Sequence, residues 1–191
     1  ILNNSTKLIA SEQTQILEGS RQLLITLSTT NQIKYPGKGC SNYLQEVLQR
    51  YQRYTNIALA DTKGNVVCSA VVPQKPVNIA DRYFFKSVTA SKSFTVGEYS
   101  LSKITNESII SFAYPVYNDS GVFNGVIYAS LDLKWLSDFI GNLDLSEQSM
   151  LVVVDKKGIV LANGYNSNSE IGNLFLSEKL VSNLKGESGF V

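Results

Sequence analysis

The chain has 191 residues, of which 43% are apolar and 17% charged, with a net charge of +1. That length holds one large or two small cores, and the composition suits a folded body rather than a disordered one. The lack of a Lys/Arg cluster excludes nucleic acid and anionic lipid as partners, and no apolar run approaches the ~18 residues of a membrane span.

Histidine is absent, which removes the commonest general base and the commonest metal ligand together. The cysteines are not clustered, and the carboxylates fall mainly in turns. Neither catalytic residues nor a metal or cofactor are therefore expected.

From residue 1 to about 29, the apolar positions Ile1/Leu2, Leu8/Ile9, Ile16/Leu17 and Leu23/Leu24/Leu27 recur at steps of seven or eight. They form one narrow stripe on a helix ~45 Å long, the remaining faces being polar. It reads either as a stalk rising from a membrane or as an ordinary coiled-coil or core helix. Ile1 opens inside the helical pattern, so the chain is expected to be a segment of a longer protein.

Tyr35-Pro36-Gly37-Lys38-Gly39 breaks that helix. A second helix is predicted over 42–54, with Asn42-x-x-Gln45 as a capping box and Leu44, Val47, Leu48 and Tyr51 as its apolar face. The two cysteines, Cys40 and Cys68, are 28 positions apart. Cys40 opens the second helix, and Cys68 lies on the outgoing arm of the hairpin that follows. Bridged, they would tether helix to sheet edge, contribute ~3–4 kcal/mol, and imply an extracytoplasmic location. Two buried free thiols are the alternative.

The hairpin Ile57-Ala-Leu-Ala-Asp61-Thr-Lys-Gly64-Asn-Val-Val-Cys68 recurs as Leu151-Val-Val-Val-Asp155-Lys-Lys-Gly158-Ile-Val-Leu161, 94 positions on. Asp and Gly are what a tight turn demands, and β-branched residues line both arms. After each hairpin a polar loop leads to a helical segment, over 79–89 and 171–184, and then to a Phe-containing strand, 93–96 and 189–191. Recurrence with matching flanks predicts two related modules in tandem.

In the first copy, Asp81 is expected to cap a helix starting at Arg82. Strands follow over 93–100, 108–117 and 122–131, the last two joined by the turn Asn118-Asp119-Ser120-Gly121. Residues 133–140 read as a connecting helix, with Trp135 anchoring it to the core. The second copy is either cut short or naturally smaller. The predicted fold is thus α+β: a long N-terminal helix (1–32), a PAS-like module (33–132), a connecting helix (133–142) and a second, smaller or truncated PAS-like module (143–191), each module an antiparallel sheet with flanking helices.

Several residues could meet a ligand. Arg82 offers a planar fork for a carboxylate or phosphate, or else a structural salt bridge to Asp81 or Glu98. Tyr99, Tyr114 and Tyr128 lie on predicted strands, where one or two should face a concave sheet surface, the others packing in the core. Ser111 and Ser130 would add hydroxyls. Asp132 either touches a ligand or caps the helix after it.

The order long helix, Cys, helix, Asp-x-x-Gly hairpin with the second Cys, Asp81-Arg82-Tyr83-Phe84-Phe85, Val96-Gly97-Glu98-Tyr99, Ala113-Tyr114-Pro115-Val116 and Gly125-Val126-Ile127-Tyr128-Ala129-Ser130-Leu131-Asp132-Leu133 resembles the double Cache family. These tandem PAS-like (PDC) domains are extracytoplasmic sensors of histidine kinases, chemoreceptors and cyclic-dinucleotide enzymes. The resemblance implies a small-molecule pocket in a membrane-distal module, here 33–132, and a membrane-proximal module from 143 onward. It also implies a homodimer in the full-length receptor, reached from the membrane through flanking helices.

In amino-acid-binding members, an Arg followed by aromatics holds the ligand carboxylate, while a Tyr and an Asp ending the last strand help bind the ammonium. Arg82, Phe84, Phe85, Tyr99 and Asp132 match those positions. The chain departs from that subgroup where Trp and Tyr are replaced by Phe84 and Phe85, and where a second acid is replaced by Leu101. The ligand implied is a carboxylate or an amino acid. A sensor histidine kinase is the first expectation for the parent protein. A chemoreceptor, a cyclic-dinucleotide enzyme, or a secreted or surface binding protein without signalling output are the alternatives.

Overall fold

The computed structural model of the chain describes residues 2–142, 151–164 and 170–175. Helix α1 (Leu2–Ser28) is the expected long N-terminal helix. Ile16, Ser20, Leu23, Leu24, Leu27 and Ser28 are buried on it, the i, i+4, i+7, i+8 pattern of a single face. Ser20 therefore belongs to the buried face rather than to the polar ones. Its hydroxyl lies 2.7 Å from that of Tyr54, the partner that a buried hydroxyl requires.

After the short helix α2 (Asn31–Lys34) comes α3 (Cys40–Leu48). This helix starts before the predicted 42–54 and stops well short of its end. The first turn is already closed by the Cys40 N–H on the Gly37 carbonyl, 3.0 Å, and the Tyr43 N–H on the Gly39 carbonyl, 3.0 Å. Gly39 is the N-cap and no side chain caps the helix, so Asn42 and Gln45 form no capping box. At the other end Tyr54 is claimed by strand pairing with Leu131.

The chain divides into two compact units: Ser20–Asp132, and Ile1–Gly19 with Leu133–Val191. In the first, β1 (Tyr54–Ala60), β2 (Val66–Ser69), β3 (Thr95–Val96), β4 (Ser100–Leu101), β5 (Ser108–Tyr117) and β6 (Phe123–Asp132) form one antiparallel sheet. Its order is β2-β1-β6-β5-β3, with β4 also paired to β5. The architecture is α+β, an antiparallel sheet with flanking helices, as expected. The single strand predicted over 93–100 is instead two short ones. Gly97, which has no side chain to pack in a strand, sits at the break.

Helix α4 (Tyr83–Ser91) covers one face of this sheet. Its Phe84, Phe85 and Val88 pack with Ala58, Ala60, Ala113, Val126 and Tyr128, each large side chain contributing roughly 1.5–3 kcal/mol by leaving water. Small residues at the centre of the strands leave room for the two Phe rings. Asp81 does not cap α4. Arg82 is the N-cap residue, without a side-chain cap, because the Asp81 carboxylate is taken by the Lys103 ammonium at 2.6 Å.

Cys40 and Cys68 are bonded, their Cα atoms 5.9 Å apart, which fastens the start of α3 to the edge strand β2. Across the Asp61 turn, Asp61 Oδ1 accepts from the N–H groups of Lys63 (2.8 Å) and Asn65 (2.9 Å). Gly64 has φ of +84°, and a Cβ there would come within 2.7 Å of the Ala80 nitrogen. No other residue type fits that conformation and that approach.

The second unit repeats this chemistry. Helix α5 (Leu133–Gly141) precedes β7 (Val152–Val154) and β8 (Val160–Asn163). Asp155 Oδ1 accepts from Lys157 (2.8 Å) and Ile159 (3.0 Å), and Gly158 has φ of +80°. The hairpin registers agree residue for residue at the offset of 94, including a bulge after Leu59 and after Val153. Buried Leu133, Leu136 and Ile140 hold α5, while Trp135 is half-buried and stacks on Phe139 at 5.3 Å. The start of the helix expected over 171–184 is instead a turn and a bridge between Ile159 and Leu174. Backbone bonding takes that segment into the sheet: the Phe175 N–H donates to the Gly158 carbonyl at 2.9 Å. The remainder of that expected helix, and the strand expected over 189–191, lie outside the described residues.

Candidate functional site

A cleft opens in the first unit between the sheet, the start of α4 and the segment 100–104. Of the nine residues singled out for ligand contact, Arg82, Phe84, Ser111, Tyr128 and Ser130 line it together. With its solvent-open mouth included the cleft encloses about 330 Å³, near the lower end of small-molecule sites. Its enclosed part has room for about one or two waters.

The floor is a consequence of register. Ser111 on β5 is opposite Ser130 on β6, and Ser130 is opposite Asn56 on β1. All three are buried, and all three line the cleft. The Ser111 and Ser130 hydroxyls lie 3.2 Å apart. Asn56 Oδ1 accepts from the Val71 N–H at 3.0 Å, and its amide also bonds Ser69.

Tyr128 shares this face, two residues before Ser130. Its ring lies 5.2 Å from that of Phe84. Burial pushes the phenol well above its ordinary pKa, and the Arg82 charge opposes that rise.

Arg82 stands at the rim, where extended backbone enters α4. Its Nη2 donates to the Leu101 carbonyl at 2.8 Å, one of five N–H donors. The Asp81 carboxylate is held by Lys103, whose ammonium also donates to the Asn78 carbonyl at 3.0 Å. That hydrogen bond and charge keep the Asp81 carboxyl below its ordinary value, against the opposing effect of burial. Lys103 and Arg82 thus pin the segment 100–104 across the mouth.

Four of the singled-out residues lie elsewhere. Phe85 is buried in the core cluster beneath α4. Tyr114 falls on the opposite face of β5 from Ser111 by strand alternation. Tyr99 precedes β4 and its hydroxyl sits 3.4 Å from that of Ser108. Asp132 ends β6, two residues beyond Ser130, and its N–H donates to the Arg53 carbonyl at 2.9 Å; it does not line the cleft. Conversely, Asn56, Lys103 and the wall residues Val77, Ile79 and Ile104 line the cleft without having been singled out. Asn56 carried a usable signal, an amide interrupting the apolar run of β1. Lys103 did not, since its position depends on a loop crossing the sheet. No group of three or more potential metal ligands occurs among the described residues.

A Cache domain family model matches residues 1–191. The chain belongs to the Cache domain family. This Cache chain is 26% identical over 134 residues to sporulation kinase D of Bacillus subtilis (strain 168), covering 70% of the chain and 26% of that kinase. The match thus spans about a quarter of the kinase's length. Among solved structures, the extracellular domain rpHK1S-Z16, of a protein assigned as a histidine kinase, is similar with a TM-score of 0.80 and 17% identity, over 96% of this chain and 76% of that one. The ligand-binding domain of the Pseudomonas aeruginosa PAO1 amino acid chemoreceptor PctC, in complex with GABA, gives 0.71 and 19%, over 100% and 83%. At these identities the structural likeness establishes the Cache fold. No helix among the described residues is long and apolar enough to cross a membrane.

Proposed function

We propose that the chain is the extracytoplasmic ligand-sensing part of a transmembrane sensor histidine kinase, with residues 33–132 as the membrane-distal module. It takes a small molecule in the cleft at Arg82. One observation carries this reading: five residues drawn from the start of α4, β5 and β6 converge on a single cleft whose charged lining residues, Arg82 and Lys103, are both cations. The Arg82 fork and the Tyr128 hydroxyl suit a carboxylate. Membership of the Cache family, together with the likeness to sporulation kinase D, supports the kinase parent. The disulfide supports an oxidising location.

Residues 143–191 form the membrane-proximal module in this reading, and the full-length receptor is a homodimer. A ligand favouring one of two receptor states needs a few kcal/mol of differential affinity to switch the output. The reading requires a hydrophobic segment of ~20 residues on each side of the chain in the parent protein. A thermal-shift screen with small carboxylates, amino acids and polyamines tests the site. A carboxylate should raise Tm in proportion to its excess over Kd, and Arg82→Ala should abolish the rise. A hit that survives Arg82→Ala places the site elsewhere.

A further inference from the structure

We infer that the buried hydrogen bond between Ser20 and Tyr54 is a register lock, which fixes the axial position of α1 on the sheet of the first unit. It stands apart from the cleft and from the ligand taken there.

Ser20 is 0% exposed and Tyr54 5%, and their hydroxyls lie 2.7 Å apart. The neighbours of Ser20 on the buried face of α1 are aliphatic: Ile16, Leu23, Leu24 and Leu27. Burial of such a stripe is non-directional and distinguishes poorly between positions one turn apart. A hydroxyl pair is directional and does distinguish them. Moving α1 by one turn, about 5 Å, would bring Ile16 or Leu24 to the phenol and strand its O–H among apolar atoms. Burial raises the phenol's pKa, with the Ser20 hydrogen bond and the Arg53 charge opposing, so ionisation offers it no relief. The end of the helix sets no such register. There the hydroxyls of Ser28, Thr29 and Thr30 donate to the carbonyls of Ile25, Thr26 and Leu27 at 2.7 to 2.8 Å, all bonds within the same stretch of chain.

Strand register aims Tyr54 at α1. Tyr54 is opposite Leu131 and Asn56 opposite Ser130, with Thr55 bulged out between them. Successive residues of β6 face opposite sides, so Tyr54 stands on the helix side of β1 while Asn56 stands on the cleft side. The bulge gives one short strand a polar anchor on each face.

A double-mutant cycle in urea and nitroxide distance measurements on the chain test the lock. Ser20→Ala strands the phenol, whereas Tyr54→Phe leaves a serine that can turn to a carbonyl of its own helix. Ser20→Ala should therefore lower the urea midpoint more than Tyr54→Phe, and the double variant should recover toward the parent chain. Labels at the exposed position Thr26→Cys on α1, paired in turn with Val67→Cys on β2 and Val122→Cys beside the β5–β6 turn, read the register. With Ser20 and Tyr54 intact each pair should give one distance. In Ser20→Ala/Tyr54→Phe a second population should appear, displaced by up to about 5 Å in at least one pair. Strictly additive midpoint losses, or a double variant that keeps a single distance in both pairs, would overturn the inference.

Discussion

The two Asp-x-x-Gly hairpins share register, bulge and turn bonding, and differ in how each is joined to the helix before it. In the first, a serine near the start of α3 accepts from the edge strand, Ser69 N–H to Ser41 Oγ at 3.3 Å. The second repeats the contact, Asn163 N–H to Ser137 Oγ at 3.3 Å, from α5. One residue before each serine stands Cys40 or Leu136, and one residue before each strand donor stands Cys68 or Ala162. The first pair is a disulfide and the second two buried apolar residues. The same helix-to-hairpin joint is thus made once by a covalent bond and once by packing. Around the first joint the sheet extends to six strands and holds the cleft.

The largest expected effect comes from breaking the first joint. Cys40→Ser/Cys68→Ser should lower stability by about 3–4 kcal/mol, read as a lower urea midpoint. Cys40→Leu/Cys68→Ala imports the residues of the second joint and should lose less than the serine pair. Equal losses would mean that the two joints are not interchangeable.

Next in size are the turn glycines. Gly158→Ala forces an L residue to positive φ and should cost about 1–2 kcal/mol. Gly64→Ala meets the same strain and also the Ala80 backbone at 2.7 Å, so it should cost more. Denaturation that ranks them the other way would contradict the described approach of 77–80 to the first turn.

These turns were the part of the fold most legible in the sequence, because Asp and Gly act within five residues of each other. The strand 108–117 and the helix α1 were readable for a similar reason: a sustained hydrophobic period. Helix α3 was misplaced because its start is set by Gly39 and the tether at Cys40, and its end by pairing of Tyr54 with Leu131. The site was half legible. Arg82, Phe84, Ser111, Tyr128 and Ser130 sit on elements whose period gives the face. Tyr99, Tyr114 and Asp132 failed to line the cleft because a face assignment needs the register of neighbouring strands. Lys103 was invisible, since a loop with no period brings it over the cleft.

The smallest effect should come from the pair that pins this loop. The folded Asp81 carboxyl is depressed by Lys103, so its contribution is present above the unfolded value near ~4 and lost as pH falls through the folded value. Asp81 is 61% exposed, which limits the gain to about 1 kcal/mol or less. Asp81→Asn should flatten the pH dependence of stability below about pH 4 by that small amount, and added salt should shrink the difference further. An unchanged slope would show that Lys103 holds the segment 100–104 through the Asn78 carbonyl instead.

The contrast between the two regions is tested most directly by NMR titration of the chain with the carboxylate that most raises its Tm, following backbone amides. The account predicts saturable shifts at Arg82, Leu101, Ser111, Tyr128 and Ser130, with residues 152–163 unmoved. Shifts concentrated in 152–163, with the first unit silent, would contradict it.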